Sequence, residues 1–150
     1  MNPKATKSVL FVDDPDGVWE FHAAVLEHTL KDRYELRFHN CKLASEFTDL
    51  INQQTFDLVV INDSRVRWDI ERDTSTRTGD VSFLAWLKTQ TGRPILIVSS
   101  MLDAGRQEKF IHMGTEFLPM PCSEEEIKVF QDSCKRLLER IPAKVKKFSL

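Results

Sequence analysis

Residues 56–63 read FDLVVIND. From Phe56 to Ile61 the run is almost wholly apolar, and three of its residues are β-branched. It then stops at the polar pair Asn62–Asp63. A short apolar run with no polar alternation suits a strand buried on both faces, the condition of an interior strand in a parallel sheet. Two other runs share this character, Ser8–Val12 and Pro94–Val98. Two weaker ones, Tyr34–Phe38 and Thr115–Leu118, complete a set of five expected strands.

Segments with helical spacing lie between and after these runs. Val18, Phe21, Val25 and Leu26 are expected to share one helical face after the turn-prone DDPDG, with Asp16 a candidate N-cap. Leu43, Phe47, Leu50 and Ile51 form a second face. A third helix is expected over about 80–90, carrying Val81, Leu84 and Leu87, and a fourth over about 103–113, closed by Gly114 at C′. The last helix opens at Ser123 with Glu124, Glu125 and Glu126, a capping-box pattern that puts acids at the positive end of the helix dipole. The alternation βαβαβαβαβα predicts an α/β fold: a three-layer, doubly wound, five-stranded parallel sheet with helices on both faces.

The chain of 150 residues is expected to form one domain, with a core from about Ser8 to Arg140 and a tail over 141–150. Its hydrophobic share of 41% and charged share of 29% are those of a globular protein. A formal net charge of −2 gives no bulk attraction to nucleic acid, and no apolar run approaches the ~18 residues a membrane span requires. Neither nucleic acid nor membrane is an expected partner. Three cysteines without C-x-x-C spacing fit reduced thiols in a cytoplasmic protein. The four histidines are scattered and make no metal-ligand pair on a helix.

In doubly wound sheets, ligands sit outside the carboxyl ends of the strands, near a topological switch point. The strand ends here carry Asp13–Asp14, Asn62–Asp63, Ser99–Ser100 and the segment Phe117–Pro121, while the second strand ends without evident chemistry. These pieces resemble a response-regulator receiver domain of two-component signalling over roughly Ser8 to Arg140. VLFVDD is similar to the family's opening strand and acid pair, and DLVVIN to the strand bearing its phosphoacceptor. PILIVSS is similar to the strand ending in its hydroxyl residue, and GTEFLPMP to its glycine, switch-aromatic, lysine and proline segment. The resemblance implies the flavodoxin-like (βα)5 fold with strand order 2-1-3-4-5. It also implies a Mg²⁺ role for Asp13 and Asp14, a phosphoryl contact for Ser99, a switch role for Phe117 and a cis peptide before Pro121.

Two matched positions depart from the pattern. The phosphoacceptor position is Asn62, and the lysine position is Met120. An aspartyl phosphate needs a carboxylate nucleophile, which an amide does not supply, and a thioether replaces the cation that would meet a phosphoryl oxygen. The losses match in charge: Asp13, Asp14, Asn62 and Met120 sum to two negative charges, as do three acids and one lysine. An amide N–H from Asn62 toward Asp13 or Asp14 is expected to stand where a metal would bridge. No cofactor is expected, and Mg²⁺ at Asp14 and Asp13 would be weak.

The leading expectation is a degenerate, pseudo-receiver module that signals through protein–protein contact without phosphorylation and is not an enzyme. Its expected partner is another signalling protein, a histidine kinase or an effector. The segment Ser64–Gly79, longer than the receiver family's loop at this place, offers Arg65, Arg67 and Trp68 as partner contacts. The stripe Ile127, Phe130, Cys134, Leu137 and Ile141 on the last helix leaves room for a homodimer. One alternative is a receiver phosphorylated on Asp63 with Mg²⁺, which would need a strand-end bulge to re-aim that side chain. Another is a phosphohydrolase, since Asp14-Pro15-Asp16-Gly17-Val18 is similar to the opening of haloacid-dehalogenase-type enzymes, with Asp14 as nucleophile and Asp16 as general acid.

Overall fold

The computed structural model describes residues 4–13, 18–62, 94–99, 108 and 115–139. Five strands, β1 (Ala5–Val12), β2 (Tyr34–Cys41), β3 (Leu58–Asn62), β4 (Ile95–Ser99) and β5 (Glu116–Pro119), form one sheet. Every pairing is parallel and the order is β2-β1-β3-β4-β5, as the alternation of elements and the receiver resemblance predicted. Three helices are described: α1 (Trp19–Leu30), α2 (Ala44–Gln53) and α3 (Glu124–Glu139). The helices expected over 80–90 and 103–113 lie outside the described residues, apart from Glu108. None of the described helices is long and apolar enough to cross a membrane.

β3 and β4 are buried along their whole length, and β1 from Val9 to Val12, because each packs on both faces. Leu10, Val12, Val59, Ile61, Ile95 and Ile97 meet Phe47 of α2 and Phe56 on one side. Val9, Phe11, Leu58, Val60, Leu96 and Val98 meet Leu26 of α1 and Phe130 and Leu137 of α3 on the other. Strand alternation sorts odd from even positions between these layers, so a continuous apolar run feeds two cores at once. Register is pinned at the start of β3, where the Asp57 N–H donates to Ser8 O at 2.8 Å and Asp57 Oδ2 accepts from the Ser8 N–H at 2.9 Å.

The buried face of α1 differs from the sequence expectation. Val18 and Phe21 are 44% and 51% exposed, and the buried residues are His22, Ala23, Leu26 and Leu30. The sheet-facing stripe runs through the small Ala23 and the polar His22, so counting large apolar residues rotates the helix about its axis. Val18, not Asp16, occupies the N-cap position, and its side chain makes no capping bond. On α2, Phe47, Leu50 and Ile51 pack inward as their spacing predicts, while Leu43 caps the helix. Glu46 Oε1 there accepts from the Leu43 and Lys42 N–H groups at 2.9 and 3.1 Å, half of a capping box.

The capping box of α3 is complete. The Glu126 N–H donates to Ser123 Oγ at 3.1 Å, and Glu126 Oε1 accepts from the Ser123 N–H at 3.1 Å. The Cys122 and Ser123 N–H groups, both donating to Glu126 Oε1, hold the Glu126 carboxyl below its ordinary pKa. β2 is longer than its apolar run suggested, continuing to Cys41.

Candidate functional site

The switch point lies between β1 and β3, where the chain leaves β1 for β2 on one side and β3 occupies the other. Asp13 follows β1 directly, and Asn62 is the last residue of β3. Asp13 shares the face of Val9 and Phe11, and Asn62 that of Leu58 and Val60, so both turn toward the α1/α3 side. They meet there: Asn62 Nδ2 donates to Asp13 Oδ1 at 3.2 Å, with the residues 5% and 3% exposed. The amide presents its NH₂ and the carboxyl oxygen accepts.

Asp13 is held from three sides. Its N–H donates to Cys41 O at 2.9 Å. Its carbonyl accepts from Asn40 Nδ2 at 3.1 Å, and the same amide also donates to Phe11 O at 3.0 Å. The end of β2 therefore does carry chemistry, contrary to the sequence reading: Asn40 clamps the main chain that presents Asp13. The signal for it was a lone amide closing an otherwise apolar and charged strand, weak by itself because Asn is common near strand ends.

Ser99 ends β4 and is buried. Its carbonyl accepts from the Met120 N–H at 2.8 Å, which brings residue 120 to the rim of the site. The Met120 side chain is half-buried and packs with Leu118 against the α1/α3 core. A thioether in that packing is a core-filling group, whereas a lysine would carry a cation to the same place. Phe117 is 5% exposed and lies in the α2-side core, opposite Ile97 and on the same strand face as Ser99. The described part of the site thus brings Asp13 and Asn62 into contact on the α1/α3 side, sets Ser99 one residue beyond Val98, the β4 partner of Asn62, with its side chain on the face of Phe117, and ties Met120 to the Ser99 main chain.

Asp14, Asp63, Arg65, Arg67, Trp68 and Asp16 lie outside the described residues. Among the described residues no group of three or more His, Cys, Asp or Glu side chains could hold a metal ion. Mg²⁺ takes near-octahedral oxygen ligands. Of the two acids expected to hold it, Asp13 is among the described residues, and its Oδ1 accepts the Asn62 N–H. The thiols are no better placed for chemistry. Burial pushes Cys41 up to about 12, with Glu46 adding to it, and raises Cys134 as well; Cys122 is exposed.

No family model and no curated protein matches the sequence. Solved structures do match the fold. A signal receiver domain of a DNA-binding response regulator from Colwellia psychrerythraea superposes with a TM-score of 0.67 at 12% identity, covering 89% of this chain and 99% of that one. A CheY-like receiver domain protein from Methanospirillum hungatei gives 0.63 at 15% identity, with 90% and 95% covered. A response regulator from Burkholderia pseudomallei, solved with a phosphorylated aspartic acid, gives 0.55 at 17%, with 95% and 72% covered. The phosphohydrolase resemblance has no counterpart in these neighbours. With its 2-1-3-4-5 parallel sheet and helices on both faces, the chain has the fold of the response-regulator receiver domain.

Proposed function

We propose that this chain is a pseudo-receiver: a signalling module that docks on another signalling protein, a kinase or an effector, without phosphorylation of its own site. The observation that supports it is the buried contact from Asn62 Nδ2 to Asp13 Oδ1. In a receiver the strand-end carboxylate attacks phosphorus. An amide there is a poor nucleophile, and its N–H satisfies Asp13 in the role a bridging cation would have. Met120 adds to the reading, because a thioether packed on the core supplies no positive charge to a phosphoryl group. Arg65, Arg67 and Trp68 are the proposed partner contacts, in a protein proposed to work in the cytoplasm.

The test is incubation of the full chain with acetyl phosphate and Mg²⁺, read by intact mass beside an ordinary receiver as positive control. The wild type is expected to gain no phosphoryl group. A gain that disappears in Asp63→Asn would overturn the proposal in favour of the acidic neighbour as acceptor. A gain that survives that substitution would overturn it too, by placing the acceptor elsewhere.

A further inference from the structure

Away from the switch point, β2 is an edge strand of eight residues, and no described strand pairs with its outer side. Its first five residues are Tyr34, Glu35, Leu36, Arg37 and Phe38. Tyr34, Leu36 and Phe38 lie on the α1/α3 face, only partly buried against that core. Glu35 and Arg37 are exposed on the opposite face. Cys41 O accepts from the Asp13 N–H, so the odd-numbered main-chain groups of β2 turn toward β1. By alternation the N–H and C=O groups of Tyr34, Leu36 and Phe38 point outward.

We propose that this edge is the interface between two copies of the chain, paired antiparallel about a two-fold axis at Leu36. The sequence there is self-complementary under that operation. Glu35 falls opposite the partner's Arg37 and Arg37 opposite the partner's Glu35, on one face of the joined sheet. Tyr34 falls opposite the partner's Phe38 on the other, and Leu36 opposite the partner's Leu36. The outward main-chain groups of these residues form about six inter-strand hydrogen bonds in this register. Neighbouring symmetric registers are rejected by charge: a shift one way sets Glu35 against the partner's Glu35 and Arg33 against the partner's Arg37, and the other way sets Arg37 against itself. Charged residues on edge strands ordinarily prevent sheet-to-sheet pairing; these two, of opposite sign and two positions apart, instead select one partner and one register. The groove beside the strand, lined by Lys4, Glu27, Lys31 and Tyr34, carries both signs on its rim and so opposes no second copy.

The inference does not rest on the phosphorylation reading, and its test reads something else. Sedimentation equilibrium of the full chain is expected to show a concentration-dependent dimer. Glu35→Arg and Arg37→Glu each turn two attractive pairs into repulsive ones, and each is expected to weaken the dimer roughly tenfold or more. The double swap restores it, and an equimolar mixture of the two single variants forms a heterodimer. Both residues are exposed, so circular dichroism should show every variant folded. A monomer at all concentrations, a dimer indifferent to the single swaps, or folded swaps that fail to rescue one another would each overturn the proposal.

Discussion

Asn62 and Asp13 form a polar pair in a largely apolar layer, each almost fully buried. Hydrogen bonds to a charged group contribute about 1.5–3 kcal/mol, and a buried carboxylate deprived of its donor costs at least as much. Asn62→Asp would put two carboxylates at the spacing now held by a 3.2 Å hydrogen bond. Their repulsion is about 4 kcal/mol at ~4 Å and an effective dielectric of ~20, reduced by proton uptake. Urea unfolding of Asn62→Asp in chelator is therefore expected to show a loss of about 2–4 kcal/mol, partly recovered on adding Mg²⁺. Adding Met120→Lys should also recover part of it, with a coupling of about 1–2 kcal/mol in the double-mutant cycle. Strictly additive effects would mean that positions 62 and 120 are not an electrostatically matched pair. Asn62 was legible in the sequence because a strand's polar end has a fixed parity. Asn40 was not, because its bonds go to the main chain of a neighbouring strand, and nothing local to residue 40 encodes that neighbour.

Helix boundaries were legible wherever a side chain does the capping, and faces wherever bulk and burial coincide. Ser123 and Glu126 announce the start of α3, and Phe47, Leu50 and Ile51 give the inward face of α2. On α1 they part company: Phe21 stands in solvent, while His22 is 2% exposed with its ring centroid 5.0 Å from that of Phe130. The α1–α3 contact is completed by Gln131 Nε2 donating to Thr29 Oγ1 at 2.7 Å and by Arg33 paired with Glu139. Burial lowers the His22 pKa from 6.5 to about 4. Between those values the unfolded chain binds a proton that the folded chain refuses, so the stability from keeping His22 neutral is lost as pH falls from about 6.5 through about 4. The full effect is at most about 3–4 kcal/mol, at 1.36 kcal/mol per pKa unit. Comparing urea unfolding at neutral pH and near pH 4, His22→Phe should lose less stability than the wild type does. Parallel losses in the two proteins would show that His22 is not what titrates.

At the scale of the molecule, the alternation of apolar runs and helical segments specifies a parallel sheet, and right-handed crossovers then leave few ways to lay helices on both of its faces. Which strand ends become neighbours follows from the 2-1-3-4-5 order, a property of the whole chain; only then do Asp13 and Asn62 become a pair although 49 positions separate them. The same order makes the two cores interdependent. Phe47 anchors the layer under α2 and Phe130 the layer under α1 and α3, each 1% exposed, and the strands between them contribute alternate residues to both. Emptying either layer removes support from one side of the same strands. Phe47→Ala and Phe130→Ala are each expected to cost about 3–5 kcal/mol. Because neither layer can melt while β1, β3 and β4 stay paired, both variants should still unfold in one transition, with far-ultraviolet circular dichroism and tryptophan fluorescence coincident. Separate midpoints for the two probes in either variant would mean that the sheet does not bind its faces into one cooperative unit.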